Sequence, residues 1–140
     1  MRTGRLVLVI SLVLAGACTW VGDESLLSAI DEVPPRVLSV YPPDGWRQVP
    51  VGIEVRVWFS EALDPLSVGP HSVRLFSGES VATCDFTLEA WGDGRMQLVL
   101  RPMPSLLSGV RYTLVLTDGI TDLLGNPLDP QVGVEFTTLP

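Results

Sequence analysis

The fold of this 140-residue chain is decided by the alternation in residues 53–60, IEVRVWFS. The apolar side chains occupy every second position, at Ile53, Val55, Val57 and Phe59. A period of two places these side chains on one face of a β-strand, so the segment predicts a half-buried strand with its apolar side inward. Trp58 falls between these positions and is predicted to point outward.

The same alternation recurs from residue 37 onward, at intervals broken by Pro, Gly, Asp and Asn. No helical period appears in this region. Further strands are predicted at Val37–Tyr41, Val73–Leu75, Ala82–Leu88, Met96–Leu100, Tyr112–Leu116 and Val132–Phe136. About seven short strands over about a hundred residues are typical of an immunoglobulin-like sandwich. The sequence therefore predicts an all-β, antiparallel β-sandwich domain over residues 34–140, preceded by a signal-peptide helix.

Residues 1–17 have the three-part layout of a secretory signal peptide. Arg2 and Arg5 precede the apolar run LVLVISLVL at residues 6–14, and Ala-Gly-Ala at residues 15–17 leads to Cys18. The apolar run is too short to cross a bilayer as a stable helix, which takes about 20 residues. The small residues fit ordinary signal peptidase. They also resemble the lipobox of bacterial lipoproteins, in which the cysteine is acylated and becomes the first residue. The usual lipobox has Leu three residues before the cysteine, whereas here Leu14 lies four residues before Cys18.

From the lipobox resemblance we predict that Cys18 is lipidated and is the first residue of a tether over residues 18–33. Acyl chains would then be the contact with the membrane, and each buried methylene contributes about 0.8 kcal/mol. In Gram-negative lipoproteins an Asp after the cysteine favours the inner membrane, so Thr19 favours the outer membrane. The predicted location is the cell envelope, and ordinary cleavage with release as a secreted or periplasmic protein stays open as the alternative.

The charge balance excludes several classes of partner. The chain has 16 Asp and Glu against nine basic residues, all of them Arg, and a net charge of −7. Nucleic-acid binding needs a basic face to replace phosphate counterions, so no nucleic-acid partner is predicted. Electrostatic attachment to anionic lipid is disfavoured for the same reason.

Five phrases in order carry a family resemblance. They are PRVLSVYPPDGWRQV at Pro35–Val49, VWFSEALDP at 57–65, LLSGVRY at 106–112, DLLGNPL at 122–128 and FTT at 136–138. The chain is similar to the bacterial Ig-like domain typified by repeats of S-layer proteins (SbsA-type), from Pro34 to about Thr138. The resemblance implies a sandwich that serves as a spacer, an adhesion module or a carbohydrate contact, with no cofactor.

Three tryptophans are the candidate ligand contacts. Trp58 is predicted to point outward, while Trp46 and Trp91 fall in predicted turns. Exposed aromatic side chains stack on sugar rings or anchor a protein partner. They can equally cover a sheet edge or pack under a loop, since scattered surface apolar residues are normal. Both interpretations stay open.

One acidic stretch could hold Ca²⁺ through oxygen ligands. The candidates are Asp118, Asp122, Asn126 and Asp129, to which Glu61 and Asp64 would add if their loops share one end of the sandwich. The alternative is that Asp122 and Asn126 bind loop amides while Gly125 supplies a positive φ. The spacing is not that of an EF-hand.

Catalysis is the least supported class of function. Cys84 shares a predicted face with Ala82, Phe86 and Leu88, which indicates a buried free thiol. His71 is the single histidine, so a site that needs two imidazoles cannot form. Tyr112 is predicted to form a tyrosine corner. We predict a non-enzymatic lipid-anchored envelope protein whose domain is a structural or interaction module that contacts envelope protein or polysaccharide. A carbohydrate-binding module or a Ca²⁺-stabilised adhesion domain are the alternatives.

Overall fold

Nine β-strands make up the regular structure of residues 32–140, the part of the chain that a computed structural model describes. The predicted signal-peptide helix, Cys18 and nearly all of the tether lie outside these residues. In the described part, no helix is long and apolar enough to cross a membrane. The strands are β1 Val37–Tyr41, β2 Trp46–Val49, β3 Val55–Phe59, β4 Val73–Ser77, β5 Ser80–Ala82, β6 Cys84–Ala90, β7 Met96–Pro102, β8 Arg111–Leu116 and β9 Val132–Thr138.

The strands form two sheets that pack face to face. One sheet has four strands in the order β1-β3-β7-β6, and every pair in it is antiparallel. The other has five strands in the order β2-β9-β8-β4-β5. In that sheet β2 runs parallel to β9 and the remaining pairs are antiparallel. The prediction of an all-β, Ig-like sandwich is confirmed.

The core lies between the two sheets and follows the predicted alternation. On β3, Val55, Val57 and Phe59 have no exposed surface, whereas the residues between them are half-buried. On the five-stranded sheet the ring of Phe136 stacks on that of Tyr112, with 5.9 Å between the ring centroids. Full burial of one large apolar side chain contributes about 1.5–3 kcal/mol. Fully buried residues from both sheets therefore supply the main stabilisation, among them Leu75, Leu98, Leu100, Leu114, Leu116 and Val49.

Strand β2 departs from the sequence prediction, which placed Trp46 in a turn. Trp46 instead begins a four-residue strand, in which only Val49 is buried. The strand is held by the edge of β9, where Trp46 lies opposite Phe136. An exposed edge strand carries no apolar alternation, which explains why the residue pattern did not reveal it.

The predicted single strand Ala82–Leu88 is in fact divided at Thr83. Ala82 belongs to β5 in the five-stranded sheet and pairs with Leu75, whereas Cys84 opens β6 in the four-stranded sheet and pairs with Pro102. The alternate residues still face the core on both sides of the break. Because the period of two continues through Thr83, the sequence alone could not show that the chain changes sheets there.

The two ends of the described domain emerge from opposite ends of the sandwich. The Asp129 N–H donates to the carbonyl of Pro35 over 3.2 Å, which places the first residues beside the β8–β9 loop. The Gly109 N–H donates to the carbonyl of Leu139 over 2.7 Å, beside the β7–β8 loop. The chain therefore enters at one end of the strands and reaches its last residues at the other.

Tyr112 joins the core to the loop before its own strand. The residue is only 4% exposed, and its hydroxyl oxygen accepts a hydrogen bond from the Leu107 N–H over 2.9 Å. A buried ring whose hydroxyl binds the backbone a few residues upstream is the arrangement that a tyrosine corner requires.

Tyr112→Phe is expected to destabilise the domain by about 1–2 kcal/mol, because it leaves the Leu107 N–H without its acceptor. Urea denaturation followed by tryptophan fluorescence measures the change. Tyr41→Phe is the matched control, since Tyr41 is 38% exposed. Equal stability of wild type and Tyr112→Phe would contradict the role given to this hydroxyl.

Candidate functional site

An aromatic pair occupies the outer face of the four-stranded sheet. The rings of Trp58 on β3 and Trp91 in the β6–β7 turn lie edge to face, with centroids 6.5 Å apart and planes at 67°. Strand β7 lies between β3 and β6, so the two rings meet over β7. Trp91 is 45% exposed, and the guanidinium carbon of Arg95 lies 5.9 Å from its ring centroid. The fold thus brings together two of the three predicted tryptophans.

Gln97 lies on β7 between the strands that carry these rings. It is paired with Trp58 across the β3–β7 ladder and with Glu89 across the β6–β7 ladder. Although this position faces outward, Gln97 is only 6% exposed, and its Nε2 has no hydrogen-bond partner among residues 32–140. A buried polar group without a partner costs about 1–3 kcal/mol. Sequence reasoning did not single out Gln97, because its burial depends on side chains from two other strands.

A network of opposite charges covers the rest of the same face. Glu54 accepts a hydrogen bond from Arg101 and another from Arg56, each 2.7 Å long. Arg101 also donates to the Thr87 hydroxyl over 3.2 Å. The bonds from Arg101 and Arg56 hold the pKa of the Glu54 carboxyl below its usual range, and Glu54 in turn raises the pKa of Arg101. These contacts hold the long side chains against the sheet, beside the fully buried Val99.

The charges on this face nearly balance one another. Its acidic residues are Glu54, Asp85, Glu89 and, in the same turn as Arg95, Asp93, and its basic residues are Arg56, Arg95 and Arg101. Four acidic and three basic residues leave the face close to neutral on a chain whose net charge is −7. We call this surface, formed by Trp58, Trp91, Gln97, Thr87 and these seven charged residues, the tryptophan face.

Trp46 belongs to a different aromatic pair. Its ring lies edge to face with that of Tyr41, with 5.4 Å between centroids, and Trp46 is 41% exposed. Among the described residues, no ring contact joins this pair to Trp58 or Trp91. The three predicted contacts therefore do not form one aromatic cluster.

In the β8–β9 loop, the carboxylate of Asp122 binds the loop itself. Its Oδ1 accepts from the N–H groups of Leu124 and Asn126, each over 2.8 Å, and its Oδ2 accepts from the Asn126 side-chain amide over 2.7 Å. Gly125 has a φ of 89°, which favours glycine. Burial would raise the pKa of Asp122, but the bonds from Asn126 and from the backbone outweigh it, so the pKa is lowered.

This geometry is the one expected if the loop residues bind backbone amides. The β3–β4 loop does share this end of the sandwich, since the Asp64 N–H donates to the Thr121 carbonyl over 2.9 Å. Asp118 and Asp129 are exposed. Within residues 32–140, no three His, Cys, Asp or Glu side chains are grouped so that they could hold a metal ion. Binding of Ca²⁺ by this loop stays a prediction.

Cys84 and His71 do not line the same cavity. Cys84 is a half-buried free thiol that lines a cavity of about 260 Å³ with apolar neighbours such as Phe86, whereas His71 is exposed and does not line it. Burial, aided by the charge of Asp85, raises the pKa of the Cys84 thiol to about 11. The thiol is therefore protonated at neutral pH, and no imidazole in this cavity could activate it.

Asp122→Asn is expected to destabilise the domain by about 1.5–3 kcal/mol at neutral pH, because the loop donors lose a charged acceptor. Denaturant unfolding measures the difference, and Asp118→Asn, at an exposed position of the same loop, is the matched control.

We also expect the stability difference between wild type and Asp122→Asn to depend on pH. The folded-state pKa of Asp122 is lowered, so its contribution is complete above the unfolded pKa of about 3.9 and is lost as pH falls toward the folded value. The stability gap between wild type and Asp122→Asn should therefore narrow in acid. A gap that stays constant down to the acid limit of the measurement would contradict this assignment.

A model of the bacterial Ig-like domain family matches residues 31–138. A search of curated protein sequences found no significant match.

Similar solved structures include domains 1–6 of the surface layer protein SbsC, at a TM-score of 0.53 and 19% identity over 83% of this chain. The N-terminal part of SbsC matches at a TM-score of 0.51 and 19% identity over 76% of this chain. The LD transpeptidase LdtMt1 in complex with imipenem matches at a TM-score of 0.51 and 19% identity over 75% of this chain. This chain covers 15%, 24% and 40% of those chains, respectively, so these likenesses show a shared fold and no more.

Proposed function

The chain belongs to the bacterial Ig-like domain family, and on that premise we propose that it is a non-catalytic structural or interaction module displayed on the cell envelope. The observation that carries the proposal is the family match, which spans nearly all of the described residues. The likeness to surface layer proteins supports a place at the cell surface.

The chemistry of the described domain supports a binding role over a catalytic one. The apolar side chains of both sheets close on each other, and Asp122, the most buried carboxylate, is occupied by its own loop. The Cys84 thiol is protonated, and His71 does not line its cavity. The surfaces left for contact are the outer sheet faces, the strand edges and the loops, which are the elements that interaction modules use.

We further propose that the domain is held at the membrane by acyl chains on Cys18, with the outer membrane as its location. The support is the sequence: a basic start, an apolar run at residues 6–14, small residues before the cysteine, and Thr19 after it. Residues 18–33 would form the tether between the membrane and the domain, which begins at Pro34.

Intact mass of the protein isolated from native membranes tests the anchor. The expected mature chain begins at Cys18 and carries the mass of its acyl chains. Cys18→Ala should remove the acyl mass and shift the protein from the membrane to the soluble fraction, because the anchoring free energy resides in the buried methylenes. Cys84→Ser is the control that keeps both. A chain that retains Met1, or one that lacks acyl mass and starts at Cys18, would contradict the anchor.

Two more specific roles lead to opposite expectations. The pairing of Trp58 with Trp91 favours a carbohydrate-binding module. For a Ca²⁺-stabilised adhesion domain, the test is the melting temperature with Ca²⁺ and with chelator, for which we expect equal values because both oxygens of Asp122 already accept hydrogen bonds within the loop. A higher melting temperature in Ca²⁺, lost in Asp122→Asn, would reverse that expectation.

A further inference from the structure

We propose that the tryptophan face binds an uncharged polysaccharide, with Trp58 and Trp91 stacking on pyranose rings and the Gln97 amide donating to a sugar oxygen. The inference rests on the proposed function and deepens its carbohydrate-binding candidate, since it assigns the site and the class of ligand. Three features of the face carry it.

The first feature is the aromatic pair. A pyranose ring presents a face of C–H bonds, which packs on the flat surface of an indole, while its hydroxyl groups stay free for hydrogen bonds. Trp91 is 45% exposed and lies at the end of the sheet, in the β6–β7 turn. Its ring lies edge to face with that of Trp58, and the guanidinium of Arg95 lies beside it.

The second feature is the orphan amide of Gln97. Its NH₂ group carries two hydrogen-bond donors, and the buried Nε2 has no acceptor within residues 32–140. The two tryptophan rings meet over the strand that carries it. A ligand that parts the rings and offers a hydroxyl or carbonyl oxygen would satisfy this donor. While the pair is closed, this donor has no acceptor. An oxygen-rich ligand would supply one, whereas an apolar partner surface would not.

The third feature is the charge balance. Glu54 binds both Arg56 and Arg101 through direct hydrogen bonds, and Asp85 lies opposite Arg101 in the β6–β7 ladder. A face close to neutral gives little long-range attraction to a polymer of either charge. The paired groups still offer hydrogen-bonding atoms to hydroxyl groups. This selects an uncharged chain of sugars over a charged polymer or an apolar partner.

The test uses the full chain, purified in detergent from the membrane, with cellohexaose and chitohexaose as probes. Both are uncharged, and they differ at C2 of each ring, where one has a hydroxyl and the other an acetamido group. Calorimetric titration measures binding, and nuclear magnetic resonance follows the side-chain amide of Gln97. We expect at least one probe to bind with a Kd of about 1 mM or tighter and to shift that amide signal.

Three variants locate the site. Trp91→Ala should weaken binding at least tenfold, and Trp91→Phe, which keeps an aromatic ring, should recover part of it. Trp46→Ala is the matched control, because Trp46 is similarly exposed but belongs to the other aromatic pair, and it should bind as the wild type does.

Gln97→Leu separates a binding role from a structural one. The substitution removes a buried unpaired donor and keeps the side-chain volume, so the unfolding midpoint should stay equal or rise. Binding should nevertheless weaken at least fivefold. An equal fall in stability and in binding would instead assign Gln97 to the fold.

Absence of binding by both probes at about 10 mM would overturn the inference. So would binding that neither Trp91→Ala nor Gln97→Leu weakens. The intact mass and membrane fraction of the same preparation report on the anchor independently. An acylated chain that binds neither probe would refute the glycan site while leaving the proposed envelope display in place.

Discussion

The burial of β3 and β7 at the centre of the four-stranded sheet is the constraint on which the rest of the described structure depends. Val55, Val57 and Phe59 from β3, with Leu98 and Leu100 from β7, have no exposed surface, and they face the core strands of the other sheet. Both strands are flanked by further strands on each side, so their backbone groups are paired along both edges. The outer face of the sheet can carry Trp58 and Gln97 because the inner face already secures the register.

Registers of this kind also explain how far the sequence could predict the fold. Strand β3 was predictable because one face is buried and the other is not, and a shift by one residue would exchange the two faces. Strand β2 was not, because three of its four residues are exposed and its partner β9 lies ninety residues further along the chain. The division at Thr83 was hidden because the inward positions continue in step across two sheets.

The candidate sites follow the same distinction between local and distant contacts. The Asp122 loop was predictable in part, since the residues that it binds, Leu124 and Asn126, lie within four positions of it. The sequence left open whether these oxygens bind amides or a cation, because the positions of the donors depend on how the loop folds. Trp58 pairs with Trp91, and Gln97 is more buried than an outward residue usually is, because three strands lie side by side. No spacing within a single strand could have indicated either.

The positions of Pro35 and Leu139 at opposite ends of the sandwich have a mechanical consequence. A pull applied near Pro35 and Leu139 would act along the strands, so that β1 slides against β3 and β9 slides against both β8 and β2. In that direction the hydrogen bonds of each ladder bear load together and must break in concert, whereas a pull across the strands would open them one after another. A domain that is pulled at these two ends would thus resist unfolding in the direction in which its β-ladders are strongest.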